Sequence, residues 1–310
     1  MTHHLVFGTG PLGRATAQAL LERGHSVTLA NRQGRMPEPP AGARVVAVDL
    51  NNIAAARTAA EGAEAVYLCA QPPYHRWPEL FPGLQAAAID IAGAVGARLV
   101  VAENLYGYGP VRQVMSEDLS FSPNTRKGRV RAQMNHDLMR AHEAGRVEVA
   151  VARGSDFFGP WVVGSAVGER AFRAVVQGRP AEVYGDPDTP HSYTFVEDFG
   201  AALAILGTDS RGVGQAWHVP NAPAVSTRRF LELAFRIAEQ KPRFKRFSRA
   251  EIALIGLFVP PMKESLEMLY EFQAPFTVDH SKFVQTFGDI STPLEAALAR
   301  TVTWTRKHLS

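Results

Sequence analysis

Residues 5–32 read LVFGTGPLGRATAQALLERGHSVTLANR, from Leu5 to Arg32, and their glycines decide the fold. HLVFG reads as a strand, LGRATAQALLERG as a helix with Gly24 suited to its C-terminal cap, and SVTLAN as a second strand. Gly8, Gly10 and Gly13 stand at the strand-to-helix turn with the spacing G-x-G-x-x-G. In that context each has a physical task. Gly8 permits the tight turn, Gly10 lets the backbone approach a pyrophosphate, and Gly13 lets helix and strand pack closely. The helix opens with Pro11 and Leu12, and its N-terminus offers unpaired N–H groups and partial positive charge to phosphates. The stretch predicts a dinucleotide-binding βαβ unit.

The end of the second strand selects the dinucleotide. A carboxylate there would bind the adenosine ribose and favour NAD. This chain has Asn31 followed by Arg32, and a cation at that place pairs with a 2′-phosphate. Arg35 and Arg14 are further cations in reach, so the expectation is NADP, with NAD the less favoured alternative. Asp49 and Leu50 end the third strand and are expected near the adenine. Asp49 reads equally well as the N-cap of the next helix. Ala70 and Gln71, past the fourth strand, are expected to border the cofactor.

Further along, ARVVAVDL, AEAVYLCA, RLVVAEN and VEVAVARG read as strands. Between them NNIAAARTAAEG, GLQAAAIDIAGAVG and KGRVRAQMNHDLMRAHEAG read as helices. Such alternation predicts a doubly wound parallel α/β sheet of the Rossmann type, its strands apolar because both faces are covered. Residues 1–160, with 190–220 returning to them, form the expected nucleotide domain. Residues 161–189 and 221–310 form a smaller, mainly helical substrate lobe, with GSAVGERAFRAVVQG a helix and Ser226 capping STRRFLELAFRIAEQ. A substrate pocket is expected between the two.

The bulk numbers fit an ordinary globular protein: 310 residues, 46% hydrophobic, 20% charged, net charge +3 and pI near 9.1. The densest basic run, RFKRFSR at 243–249, reads as a solvated loop, and no nucleic-acid partner is expected. The lone Cys69, within an apolar run, reads as core and excludes an intrachain disulfide. The chain starts almost directly in a strand, leaving no room for a signal peptide. IALIGLFVPP, at 252–261, is about half the ~20 residues of a membrane span and reads as a buried helix ending at Pro260. A cytoplasmic protein without membrane contact is expected. The ten dispersed histidines contain no H-x-x-x-H, and neither C-x-x-C nor G-x-S-x-G occurs, so no metal site and no nucleophile elbow are expected.

FGTGPLG, VVAVDL, VVAENLYGYGP, VARGSDFFGP and HSYTFVEDFG resemble, in order and spacing, the extended or atypical short-chain dehydrogenase/reductases, the NAD-dependent epimerase/dehydratase-like group. That resemblance implies a Ser after the fifth strand and a Tyr-x-x-x-Lys on the next helix. Aligned on Tyr108-Gly109, Asn104 stands at the Ser position, Lys127 at the Tyr and Arg131 at the Lys. No Tyr occurs between Tyr108 and Tyr184, so the usual dyad is absent. Asn104 retains an electrophilic N–H, Arg131 is a cation able to hold ribose hydroxyls, and Lys127 needs burial to work as an acid. Tyr106 and Tyr108 leave the same strand end toward the nicotinamide region and are expected, with Asn104, Lys127 and Arg131, as catalytic residues, Lys127 also as a cofactor contact. Arg153, Ser155 and Asp156 follow the sixth strand, where open α/β sheets bind ligands. Tyr74, Asp156, Phe157, His191 and Tyr193 are the expected substrate contacts, Arg153 a cofactor contact, and Asp198 a helix cap.

Three readings stand. One is an NADP-dependent oxidoreductase or epimerase/isomerase with an altered acid–base set, acting on a small carbonyl, enone, imine or sugar-like substrate. The others are a catalytically inactive NAD(P)-binding sensor and a nucleotide-sugar epimerase or dehydratase. The helices near 83–96 and 127–143 resemble the family's dimer-forming pair and suggest a homodimer.

Overall fold

Strands of near-continuous apolar sequence need cover on both faces, and the intervening helices supply it. In the computed structural model, which describes residues 1–256 and 266–309, seven strands form one sheet. They are β1 (His3–Phe7), β2 (Ser26–Asn31), β3 (Arg44–Ala47), β4 (Ala63–Leu68), β5 (Arg98–Glu103), β6 (Val149–Arg153) and β11 (Gln215–His218). The order is β3-β2-β1-β4-β5-β6-β11, with every neighbouring pair parallel. Chain order reverses direction across the sheet between β1 and β4, where doubly wound folds bind ligands at the strands' carboxyl ends.

Residue alternation sends Val6 and Tyr67 to one face, against α1 (Pro11–Glu22) and α6 (Val196–Thr208) through Leu20, Leu203 and Leu206. Leu5, Val66 and Leu99 point to the other, against α2 (Ile53–Ala60), α3 (Trp77–Val95) and α4 (Arg126–Glu143) through Ala56, Ile91 and Leu138. Helix α3 starts at Trp77, earlier than the sequence predicts. Pro78 lies in its first turn, where a missing N–H is harmless, and Pro82 costs one bond near that end. The Thr125 hydroxyl caps α4 by accepting from the Gly128 N–H at 3.0 Å, and Gly24, at φ +80°, follows α1 as expected.

A second core of Phe172, Phe230, Phe235 and Leu298 joins α5 (Glu169–Val176), α7 (Thr227–Ile237) and the helix Leu294–Lys307. The Ser226 hydroxyl caps α7. Short pairings, β7 (Phe157–Phe158) with β10 (Thr194–Phe195) and β9 (Pro190–His191) with β12 (Val225–Ser226), tie this lobe to the sheet. Helix α5 is shorter than expected, beginning after Gly168.

Three expectations need correction. The basic run is not a loop: β13 (Phe244–Phe247) pairs in parallel with β8 (Ala181–Tyr184), burying Phe247 while Lys245 and Arg246 face solvent. The helix Ser281–Phe287, placed by sequence in the substrate lobe, packs instead on the sheet. Its Phe287 ring lies 4.9 Å from Trp217 of β11, and Phe283 joins the sheet's core. Of IALIGLFVPP, the first part belongs to α8 (Arg249–Gly256), which buries Ile252 but exposes Ala253 and Leu254. Residues 257–261 lie outside the described residues. Among the described residues no helix is long and apolar enough to cross a membrane.

Candidate active site

The glycine loop sits at the switch point. Gly8 adopts φ +111°, and a Cβ there would lie 2.6 Å from the Ala70 N, so the β1 and β4 ends can approach only because it is glycine. A Cβ on Gly13 would fall 1.9 Å from the Gly8 carbonyl oxygen. Gly10 differs: at φ −70°, its Cβ would meet nothing within 4 Å. Open space in front of Gly10, at the N-terminus of α1, is what a pyrophosphate needs. The loop therefore fits a dinucleotide, through the backbone of Gly10, Pro11, Leu12 and Gly13.

Beside it, Asn31 is wholly engaged. Its Nδ2 donates to Thr9 Oγ1 at 2.7 Å and the Arg35 carbonyl at 2.8 Å, and its Oδ1 accepts from the Gln33 and Gly34 N–H groups. Asn31 thus shapes the loop rather than offering atoms to a ribose. Arg32 and Arg35 are exposed and form no ion pair among the described residues. Arg14 turns away: it donates to the Pro37 and Glu38 carbonyls and lies 4.0 Å over the Trp161 ring. Asp49 does not cap α2. Asn52 does, and the Asp49 carboxylate accepts from Asn51, while Leu50 is buried beside it. Ala70 is half-buried against Gly8, and Gln71 is exposed.

At the carboxyl ends of β4 and β5, three of the expected residues meet. The Tyr74 and Tyr106 hydroxyls hydrogen-bond at 3.4 Å, and Lys127 Nζ lies 4.4 Å over the Tyr74 ring. Lys127 is fully buried, and its Nζ donates to Glu267 at 3.3 Å. The Asn104 Oδ1 accepts from the Tyr106 N–H, which leaves its Nδ2 without a partner among the described residues. Burial pushes the Tyr74 and Tyr106 phenols upward, so both hold their protons at neutral pH.

Other expected site residues turn inward. Arg131 gives its Nε to the buried Glu103 and its Nη2 to the Ala102 carbonyl at 3.3 Å, so its charge is answered inside the fold rather than held for a ribose. Glu103 also accepts from Asn135 at 2.9 Å and the Asn104 N–H at 2.8 Å. Tyr108 is fully buried. Its oxygen accepts from Arg153 at 2.6 Å and its O–H donates to His218 Nε2 at 2.8 Å, since His218 Nδ1 donates to the Asp279 carbonyl. Arg153 also donates to Asn135 at 3.0 Å, so both it and Tyr108 are engaged inside the fold. Burial, with Arg153 nearby, lowers His218 to about 3.

His191 and Asp156 come together at 2.9 Å, with the His191 ring stacked on Phe272. Tyr193 is buried in the second core and bonds Thr227 at 2.7 Å, and Phe157 packs against Phe199. Asp198 is no helix cap: it accepts from the Thr292 N–H and hydroxyl, and burial raises its carboxyl to about 6. Burial pushes the Cys69 thiol up to about 12, as its core reading implies. Among the described residues no cluster of side chains could hold a metal ion.

Sequence reasoning missed Glu103, Asn135, His218, Glu267, Tyr270 and Glu271. Only Glu103 carries a signal, as the charged end of an apolar strand. Tyr270 and Glu271 come from the short 3-10 segment Leu266–Phe272, whose meeting with Tyr74 is tertiary.

Residues 5–219 match the model of the NAD dependent epimerase/dehydratase family. No curated protein sequence matches the chain. Among solved structures, UDP-glucuronic acid 4-epimerase from Bacillus cereus in complex with NAD superposes with a TM-score of 0.80 at 14% identity, over 100% of both chains. UDP-glucose 4-epimerase from Thermotoga maritima with UDP-glucose gives 0.80 at 16% identity, again over 100% of both. The dTDP-glucose 4,6-dehydratase from Bacillus anthracis in complex with NAD gives 0.77 at 14% identity, over 99% of this chain and 97% of the other.

Proposed function

Because the chain belongs to the NAD dependent epimerase/dehydratase family, we propose that it is an NADP-dependent oxidoreductase or epimerase acting on a small organic molecule with an altered acid–base set. The observation that carries this reading is the meeting of Tyr74, Tyr106 and Lys127 on the sheet edge that also bears the open glycine loop. The loop backbone would hold the pyrophosphate, Asp49 and Leu50 would lie by the adenine, and Ala70 and Gln71 would flank the nicotinamide half. The bound dinucleotide would supply hydride chemistry. The protein's own part is to orient a substrate oxygen or nitrogen with the unpartnered Asn104 Nδ2 and to pass protons through the Tyr74–Tyr106 pair. Lys127, beneath Tyr74, stabilises negative charge on that pair. Asp156 and His191 close the substrate side.

NADP is favoured because β2 ends without a carboxylate, Asn31 has no atoms left for a ribose, and Arg32 and Arg35 are exposed and make no ion pair among the described residues. The solved relatives bind NAD, so the preference belongs to this chain's own loop.

The test is titration of the nucleotide-stripped protein with NADPH and NADH, followed by nicotinamide fluorescence. Tight NADPH binding, weakened about tenfold or more by Arg32→Asp while NADH binding holds, supports the reading. Equal losses for both would remove Arg32 from cofactor selection. Binding of neither would remove the glycine loop from function.

A further inference from the structure

Cofactor choice, on the proposed function, falls to Arg32 and Arg35, and both are exposed on a surface loop. Arginines on a loose loop must be ordered when a phosphate arrives, and that ordering weakens binding. This loop is held from two sides. Asn31 ties its base, by donating to the Arg35 carbonyl at 2.8 Å and accepting from the Gly34 N–H at 2.7 Å. Arg14 of α1 grips its far side, where the two terminal nitrogens donate to the Pro37 and Glu38 carbonyls.

Arg14 is held in turn. Its guanidinium lies 4.0 Å over the ring of Trp161, in the turn after β7. Trp161 packs on Trp304 at 5.1 Å and on His308 at 5.2 Å, and those two rings stack on each other at 4.4 Å. His308 then leads back to the loop. Its Nδ1 donates to the Trp304 carbonyl at 2.8 Å, and its Nε2 lies 3.3 Å from the Glu38 carboxylate. Arg14, Trp161, His308 and Glu38 thus form a closed circuit between the loop, α1 and the end of the helix Leu294–Lys307. The backbone marks the same place. Among the described residues three other than glycine have positive φ, and two of them, Glu38 at +40° and Trp161 at +67°, belong to this circuit. Such conformations cost energy in L residues and persist only where the surroundings hold them. Glu38 is held at its carbonyl by Arg14 and at its carboxylate by His308, and Trp161 by Arg14 and the two rings.

We propose that Arg14 is a positioning residue for dinucleotide choice: with Trp161 and His308 it holds the loop that carries Arg32 and Arg35 in the geometry that meets a 2′-phosphate. The inference rests on the NADP reading above and deepens it. A guanidinium suits the task because one planar fork serves both carbonyls while its face lies on an aromatic ring; lysine keeps the charge and loses the fork. Arg14 acts through the loop and not on the ligand. NADH carries no phosphate at that place, so its binding is indifferent to how the loop is held.

The test titrates the nucleotide-stripped full chain and its variants with NADPH and NADH, by nicotinamide fluorescence. Arg14→Lys should lower NADPH affinity about five- to tenfold while NADH affinity holds. His308→Ala, at the far end of the circuit, should shift it the same way by about twofold or more, and it tests the point again should Arg14→Lys fold poorly. In an Arg32→Asp background Arg14→Lys should remove little more, because the group it positions is gone. A second readout needs no dinucleotide. Tryptic cleavage of the Arg35–Met36 bond, followed by mass spectrometry, should run severalfold faster in Arg14→Lys and His308→Ala than in wild type. The proposal is overturned if Arg14→Lys keeps full NADPH affinity, if it weakens NADH equally, or if cleavage at Arg35 keeps the wild-type rate. Arg32→Asp judges the NADP reading separately. If it weakens NADPH and NADH alike, that reading falls and this inference with it; if it weakens NADPH alone while Arg14→Lys does not, only this inference falls.

Discussion

Removing Glu103 should unfold the site from beneath. Its carboxylate is sealed at the end of β5 and answers Arg131, Asn135 and the Asn104 N–H at once. Arg131 is only 3% exposed, so Glu103→Leu leaves a buried guanidinium facing leucine. Breaking a buried pair from one side costs about 3–5 kcal/mol, because the surviving charge keeps its desolvation penalty and loses its partner. In a chain of this size that is roughly 6–15 °C in Tm, at about 2–3 °C per kcal/mol. Arg131→Leu should cost a similar amount. The double variant Glu103→Leu/Arg131→Leu removes both charges and should recover most of the loss, leaving about 1–2 kcal/mol for the bonds that Asn135 and the Asn104 N–H lose, the Asn135 amide keeping its bond to the residue 131 carbonyl. The assay is urea unfolding of wild type, both single variants and the double, with NADPH titration of each folded form. Additive losses in the double variant would refute the pairing. A stable Arg131→Leu that loses NADPH binding would refute the inward reading and return Arg131 to the ribose.

Gly10→Ala should leave stability within roughly 0.5 kcal/mol, since its Cβ meets nothing, yet abolish dinucleotide binding; undiminished NADPH affinity would take the pyrophosphate off this loop. Gly13→Ala, whose Cβ would fall 1.9 Å from the Gly8 oxygen, should instead cost about 1–3 kcal/mol of stability, read by urea unfolding. His218, held at about 3 when folded against an ordinary 6.5, stays neutral in the fold while the unfolded chain takes up a proton below pH 6.5. Its contribution therefore falls with acidification, by about 2 kcal/mol between pH 7 and pH 5 at 1.36 kcal/mol per unit. Raised acids such as Asp198, at about 6, act in the opposite sense over the same window, so the quantity to measure is the wild-type curve minus that of His218→Asn. Parallel curves would refute the assignment.

The elements were legible where one local signal sufficed. The period of apolar runs gave the parallel sheet, and the glycine spacing gave the turn at the switch point, because Gly8 and Gly13 relieve close backbone approaches there and Gly10 leaves open space. Legibility failed where a residue's role depends on what meets it. Arg131 and Arg153 look like free cations in sequence, and each is consumed by a group on another element, Glu103 and Asn135. Asp49 looked like a cap, but Asn52 sits at the turn that needs one. The segment Phe244–Phe247 looked like a basic loop because strand pairing with β8 involves residues some sixty positions away, and its two adjacent cations between rings show no strand alternation.

The partners of Lys127 and Arg131 bear on where the proposed proton chemistry would sit. On α4, Lys127 and Arg131 lie one turn apart, as a tyrosine and lysine would, and each is bound to a carboxylate, Glu267 and Glu103. The proposed proton-carrying oxygens are instead those of Tyr106, past the end of β5, and Tyr74, beyond β4, whose hydroxyls meet at 3.4 Å. On the proposed function, proton transfer would fall to Tyr74 and Tyr106, on two loops at the carboxyl ends of β4 and β5, rather than to α4. Tyr106→Phe, which breaks the Tyr74–Tyr106 hydrogen bond, should therefore lose turnover while NADPH affinity holds, since the glycine loop belongs to β1 and α1; unchanged turnover would take the pair out of the chemistry.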